Sequence, residues 1–332
     1  MAKQKIICAI FALYTNEVSM LYINQEKIIA DRKSCNSTSD WSLVISQLFS
    51  RYKISSKTQV RVILGASLYN TVQLPKNELL TEAELRSIAM SKDLESAVNG
   101  NISDYAWDFY DARTGKNSKP MQNFVLVTKK LISSISETIN KYAVLYDITN
   151  HDLAMAQFIS LYQYYASNKR LPDEPVNYVK QLCIALYLDT NHDLMVYGVF
   201  GGELCYSRAL KGYRNLGVAL VLGQNDPLLT KLVIDISRIR DDFLMAQLGL
   251  PPMSRLLLMM KGKQIEAIAD VLNVNFPRVL EVIPIADVAI NQDTKNYNVC
   301  KDPIINQIAE KDINYLPLLG LAKEGLLNSE EN

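Results

Sequence analysis

Ile6-Ile-Cys-Ala-Ile-Phe-Ala-Leu-Tyr14, Thr15-Asn16-Glu17, Val18-Ser-Met-Leu-Tyr-Ile23, Asn24-Gln25-Glu26 and Lys27-Ile-Ile-Ala-Asp31 read as three strands joined by two polar turns. The apolar, β-branched runs bounded by Asn, Asp and Glu are hairpin signals. The same grammar returns at Leu182 to Leu188, Asp193 to Phe200 and Glu203 to Leu210, with turns at Asp189-Thr190-Asn191-His192 and Gly201-Gly202. A helical pattern follows each triplet. In the first copy Ser39-Asp40 is expected to cap a helix over Trp41 to Tyr52, with Leu43, Ile45, Leu48 and Phe49 as its core stripe, ahead of a buried strand at Val60 to Leu64. In the second, Asp226-Pro227 opens a helix running to about Gly249, where Pro251-Pro252 stops it. Strand Met253 to Met260, helix Gln264 to Leu272 and strand Arg278 to Ile283 complete that copy. A unit of three antiparallel strands, helix, strand, helix and strand, present twice, implies a duplicated α/β fold of paired domains rather than a solenoid.

Composition agrees. Of 332 residues, 35 are basic and 35 acidic, 48% are apolar, and glycine and proline number 13 and 11. That supports a sizeable core and excludes a disordered chain, a collagen-like chain and a basic nucleic-acid binder. The longest uncharged stretches, such as Ile6 to Asn16, have strand length, so a soluble chain without a membrane span is expected. Lys3 and Lys5 precede an apolar stretch, but it breaks at Thr15, Asn16 and Glu17, and it reads as a first strand rather than a signal peptide. Five cysteines form no CxxC pair and fit reduced, buried thiols of a cytosolic protein.

Between the copies lies an insertion of about residues 71–145. Thr71 to Leu74 reads as a strand ending at Pro75, Glu78 to Leu94 as an amphipathic helix, and Asp104 to Tyr110 and Asn123 to Val127 as strands joined by a turn at Gly115-Lys116-Asn117. A helix over Lys129 to Lys141 closes it, and Ser167 to Asn177, with Pro172 and Pro175, reads as a linker. The expected halves are therefore residues 1–170 and 171–332.

Catalytic signatures are scarce. His151 and His192 stand in no spacing that makes a zinc face, and a nucleophile-histidine-acid triad has little to draw on. His192 reads as a solvated turn residue and His151 as a helix start. Gly115-Lys116 lacks the upstream glycine of a phosphate loop, and Asn117 replaces its Ser or Thr. Gly198, Gly201 and Gly202 do not space as a dinucleotide fingerprint. Asp235, Arg238, Arg240, Asp241 and Asp242 suit a solvated helix face, with a nucleotide contact as the minor alternative. The stripes Phe158 to Tyr165 and Tyr105, Trp107, Phe109, Tyr110 read equally as core or as partner-binding surface.

Several stretches resemble the actin-like pilus-assembly proteins of the PilM and MshI type, relatives of the cytoplasmic part of the type II secretion protein GspL, with the MshI branch of MSHA biogenesis favoured. They are Val72-Gln-Leu-Pro75 leading into Glu84-Leu85-Arg86, Asp104-Tyr-Ala-Trp-Asp108, Ile236-Ser-Arg-Ile-Arg-Asp-Asp-Phe-Leu-Met-Ala-Gln-Leu248, and Leu316-Pro-Leu-Leu-Gly320-Leu-Ala322. The resemblance implies an actin-like, RNase H-like duplicated α/β fold whose carboxyl-terminal helix packs back on the first half. It implies a nucleotide cleft with phosphate turns at Thr15-Asn16 and Asp189-Thr190 and a purine loop at Gly262. The first turn has no glycine to let backbone N–H groups approach phosphate, and Gly262 stands alone, as a plain strand-to-helix turn would. A degenerate cleft is therefore expected, with ATP and magnesium disfavoured as cofactors and no metal. The resemblance further implies a cytoplasmic scaffold at the inner membrane. Its expected partner is the cytoplasmic amino-terminal peptide of a single-pass PilN/MshJ-like protein, held near Leu74, Tyr105, Trp107 and Phe109, with an assembly ATPase as a further partner. The alternative is a working actin-like ATPase using Asp189, Thr15 and Thr190; a sugar kinase on the same fold lacks a base and a sugar-binding set.

Overall fold

The computed structural model describes residues 8–24, 28–76, 94–95, 98, 100–112, 119–168, 181–188, 193–214, 216, 223–260, 264–283, 298–300, 303–309 and 311–322. Contacts divide the chain into two compact units, the first holding residues 8–112 and 119–154 and the second 155–322 of the described part. The division falls at Ala154/Met155, inside a helix, upstream of the boundary at residue 170 expected from the linker composition.

In the first unit β1 (Cys8–Tyr14), β2 (Glu17–Ile23) and β3 (Ile28–Ser34) form an antiparallel meander. The chain then crosses through α1 (Trp41–Tyr52) to β4 (Gln59–Leu64), which lies parallel to β1. β1 is buried from Ala9 through Leu13 because both its faces are covered, which is why its sequence is continuously apolar instead of alternating. β3 runs three residues past the expected Asp31, since Glu17 pairs with Ser34; an outer strand accepts Arg32, Lys33 and Ser34 without burying them.

α1 has the expected bounds but a different stripe. Trp41, Val44, Ile45, Leu48 and Phe49 are buried, whereas Leu43 is 62% exposed. Positions 41, 44, 45, 48 and 49 repeat at three to four residues and share one face; Leu43 is rotated off it. Nor do Ser39 and Asp40 cap the helix. Thr38–Asp40 is a 3₁₀ turn that runs straight into α1, and the Asp40 carboxylate accepts from the Asn36 N–H at 2.9 Å.

The insertion supplies β5 (Asn70–Pro75), β6 (Tyr105–Ala112) and β7 (Met121–Thr128), a separate antiparallel sheet in the order β5-β7-β6. The expected helix over Glu78 to Leu94 and the Gly115 turn lie outside the described residues, apart from Leu94 and Glu95. After α2 (Lys129–Asn140) comes β8 (Val144–Asn150), which the residue pattern did not reveal, and then α3 (His151–Asn168). β8 joins β4 in parallel, giving the sheet β3-β2-β1-β4-β8.

The second unit repeats this order. β9 (Leu182–Leu188), β10 (Leu194–Phe200), β11 (Glu203–Leu210), β12 (Met253–Met260), β13 (Leu280–Val282) and β14 (Asn298–Val299) form the sheet β11-β10-β9-β12-β13-β14. Its crossover is α4 (Pro227–Arg238), continued by a π-helical stretch over Ile239–Gln247, with the Asp226 carboxylate accepting from the Leu228 N–H at 2.9 Å. α5 (Ile265–Asn275), α6 (Pro303–Ala309) and α7 (Leu316–Leu321) complete it, and all six residues of α7 are buried. The last expected strand starts at Leu280 rather than Arg278, because Arg278 has φ 68°, a left-handed conformation no strand contains.

One buried ion pair interrupts the apolar second sheet. Arg255 Nε lies 3.3 Å from Glu281 Oε1 with both side chains almost fully covered, 6% and 5% exposed. The guanidinium sits 5.8 Å from the Tyr162 ring. Burial, and then the charge of Glu281, hold the Tyr162 phenol well above its ordinary pKa. Removing one partner leaves the other buried and uncompensated. Glu281→Gln is therefore expected to lower stability by about 3–5 kcal/mol, read from the urea midpoint, whereas replacing both partners by Met and Leu restores most of it. A single variant within about 1 kcal/mol of the parent would show the pair to be energetically idle.

Candidate functional site

β6 ends the inserted sheet and β8 ends the large sheet, and together they line one cavity of about 420 Å³. β6 contributes five consecutive residues, Ala106 to Tyr110, and β8 four, Asp147 to Asn150. Successive side chains of a strand point to opposite faces, so a cavity on one face would touch every second residue. Consecutive residues mean that the cavity runs along the edges of both strands. Leu64, Val125, Val127, Ile132 and Leu153 close its floor with apolar surface.

The groove has a polar end. Asn150 is buried and its Oδ1 accepts from the Leu153 N–H at 2.8 Å, capping the start of α3. Asp152, also buried, sits in the first turn of that helix, where the dipole favours a carboxylate. Burial, followed by the Asp152 charge, pushes the phenols of Tyr69 and Tyr110 far above their ordinary pKa. Tyr110 therefore reaches the groove as a neutral hydroxyl.

Of the residues expected to bind a partner, Trp107 and Phe109 line this groove. Both also lean on Phe124, with ring centroids 5.9 and 5.7 Å away. Tyr105 and Leu74 pack on the insertion's small core of Leu94, Phe124 and Leu126, and Leu74 lies on β5, across the sheet from β6. The β8 wall was missed from the residues. The signal that could have found it is the repeat itself, which requires a strand after the helix ending at Lys141, the counterpart of the one at Arg278 to Ile283.

Thr15 and Asn16 form the two-residue turn between β1 and β2. Neither has positive φ, whereas a backbone nest that cradles phosphate alternates right- and left-handed residues. Thr15 Oγ1 is 3.0 Å from Ser67 Oγ. The carbonyls of Tyr14 and Asn16 accept from Trp41 Nε1 and the Cys35 N–H, at 3.0 and 2.9 Å. Asp189, Thr190, His192 and Gly262 lie outside the described residues. His151 is buried beside the Tyr14 ring, and no group of three metal-ligating side chains occurs among the described residues. On the charged helix, Arg240 makes a bidentate pair with Asp241 at 2.6 and 2.7 Å, and Tyr213 donates to Asp235 at 2.7 Å. In the Phe158 to Tyr165 stripe, Phe158 and Tyr162 are core.

No family model matches the sequence, and no curated protein matches it. Among solved structures, a PilM–PilN type IV pilus biogenesis complex is similar over 96% of this chain and 98% of its own, with TM-score 0.59 and 13% identity. The cytoplasmic domain of EpsL, an inner-membrane component of the type II secretion system of Vibrio cholerae, covers 96% and 95% at TM-score 0.47 and 9% identity. A protein of actin-like ATPase fold and unknown function from Bacteroides thetaiotaomicron covers 85% and 91% at TM-score 0.44 and 12% identity. The fold is actin-like. Both actin-like halves have a meander of three strands extended by parallel strands, two in the first half and three in the second, and among the described residues the insertion with its groove occurs in the first half. No helix among the described residues is long and apolar enough to cross a membrane.

The actin-like cores also hold the thiols. Cys183, Cys205 and Cys300 are buried, while Cys8 and Cys35 are partly accessible. Burial pushes Cys183 and Cys205 up to about 12 from 9.0, so neither supplies a thiolate near neutral pH. An unfolded chain releases those protons near 9.0 while the native chain keeps them. Stability present below that value is therefore lost as pH rises toward 12. A thiol reagent at neutral pH is expected to modify Cys35 and Cys8 in the native protein and the other three only after unfolding. Fast native modification of Cys183 or Cys205 would contradict this burial.

Proposed function

We propose that this chain is a non-catalytic, actin-like scaffold of a type IV pilus inner-membrane assembly platform, of the MSHA type. In this reading the groove between β6 and β8 captures the cytoplasmic amino-terminal peptide of a single-pass PilN/MshJ-like membrane protein, and the chain works on the cytoplasmic side of the inner membrane. The observation that carries the reading is the edge-on cavity. Two terminal strands offer main-chain groups along its length, and Trp107, Phe109, Ile148 and Leu153 offer apolar pockets, which is what an extended peptide needs in order to add as a strand. The similar solved structure is itself a PilM–PilN complex, and this supports the choice of partner. An assembly ATPase is a further expected partner of the same platform.

The proposal includes a decayed nucleotide cleft, so that ATP and magnesium are not working cofactors. The Thr15-Asn16 turn supports it, because a backbone nest that cradles an anion includes a left-handed residue and neither of these has positive φ.

The test is binding of a synthetic peptide of the partner's cytoplasmic amino terminus. Trp107→Ala is expected to weaken it by about tenfold or more, the effect of losing a central aromatic anchor. Trp107 also packs in the insertion's core, so Thr149→Trp, which fills the cavity from β8, is the second variant. It is expected to abolish binding with the melting temperature unchanged. Peptide affinity indifferent to both variants would move the site elsewhere. Peptide, and not magnesium-ATP, is expected to raise the melting temperature of the parent; saturable stabilisation by micromolar ATP would overturn the decayed cleft.

A further inference from the structure

We infer that the second unit carries a self-association surface, on which Val274 of one copy enters a cavity of another and the reverse, so that two chains dimerise about a two-fold axis. The inference concerns the second unit alone and stands apart from the peptide reading above. A cavity of about 320 Å³ lies between the π-helical stretch and the residues around the starts of β12 and β13. The π-helical stretch lends it Arg240, Asp241 and Met245, which share a face because that helix repeats from i to i+5. Pro252, Met253, Phe276 and Val279 add apolar surface. The two charged lining residues are closed on one another: Arg240 pairs with Asp241 at 2.6 and 2.7 Å, and its guanidinium lies 5.3 Å from the Phe276 ring. The cavity therefore suits an uncharged side chain, to which flexible Met thioethers adapt.

Such a side chain stands at the rim of the cavity itself. Val274, one residue before the lining Asn275 at the end of α5, is 79% exposed, against 62% for Leu43 and 58% for Tyr146. Single exposed apolar residues are ordinary, but one that continues an apolar cavity marks an interaction surface. A knob and a socket side by side are what an isologous dimer requires, because the same patch serves both chains. The charges at the rim fit a copy of this surface. Asp242 follows the lining Asp241 on one wall, Arg278 stands between the lining Pro277 and Val279 on the other, and both are exposed. A two-fold axis sets Asp242 of each chain against Arg278 of the other, giving two reciprocal pairs of opposite sign.

The test is sedimentation equilibrium of the full chain over a range of concentrations. The parent is expected to dimerise reversibly. Val274→Asp, which puts a carboxylate where the knob enters an apolar socket, is expected to weaken the dimer by about tenfold or more with the melting temperature unchanged. Asp242→Arg and Arg278→Asp each set like charges against one another and are expected to leave monomers. Arg278 has φ 68°, a conformation that Asp adopts more readily than most residues, so that change does not strain the loop. An equimolar mixture of the two single variants is expected to form a heterodimer, since opposite charges then face one another at both positions, and a chain carrying both changes is expected to dimerise again. A parent that stays monomeric at every concentration, or a dimer indifferent to Val274→Asp, would overturn the surface. A dimer that needs Val274 yet ignores the charge changes, or a mixture that stays monomeric, would overturn its two-fold arrangement.

Discussion

Two parallel ladders govern the chain: β1 against β4, from Cys8 with Gln59 to Leu13 with Leu64, and β9 against β12, from Met253 with Leu182 to Met260 with Leu188. A parallel pair cannot close through a tight turn and needs a long crossover, which α1 and α4 provide. The crossover covers one face of the sheet and the remainder of the unit covers the other, so the central strands lose their alternation and become apolar throughout. Packing there is close enough to fix single residues. Gly65, just after β4, donates its N–H to the Leu13 carbonyl at 2.9 Å, and a Cβ on it would meet Tyr14 Cδ1 at 2.6 Å. Glycine is what lets the chain leave β4 across the Tyr14 ring.

That burial gradient decides how much could be read from sequence. β9, β11 and β12 have the bounds expected from their apolar runs, and the repeat that implied a duplicated α/β fold is the repeat seen in the two sheets. Legibility fails toward the sheet margins, because an outer strand keeps solvent on one side and has no need of an apolar pattern. β8, Val-Leu-Tyr-Asp-Ile-Thr-Asn, exposes Val144, Tyr146 and Asp147, so its strand-forming residues make neither a continuous apolar run nor a regular alternation. Leu43 misled for the converse reason: an apolar residue was counted as core although its angular position puts it in water.

The candidate groove lies at those margins. Trp107 and Phe109 could be named because aromatic residues at alternate positions form a pattern in any context. The opposite wall is made of Asp147, Ile148, Thr149 and Asn150, whose identities are ordinary and whose significance comes only from the edge they occupy. Sequence thus identified the wall built from unusual residues and missed the wall built from position.

What keeps the two edges apart is β7. Its Phe124 and Leu126 point to the insertion's own small core, while Val125 and Val127 point to the main core of the first unit, beside Ile132 and Ile135 of α2. β7 is therefore packed on both faces although it belongs to a sheet of three strands. Being held on both faces, it fixes the position of β6, its neighbour, relative to the large sheet. The width of the groove is consequently set by core packing and not by a loop. Ordering a loop would subtract from the affinity of any occupant, whereas a gap between two packed sheets is present before the ligand arrives. The entropy of binding then falls mainly on the incoming segment, and an extended segment of alternating side chains, already close to strand geometry, loses least.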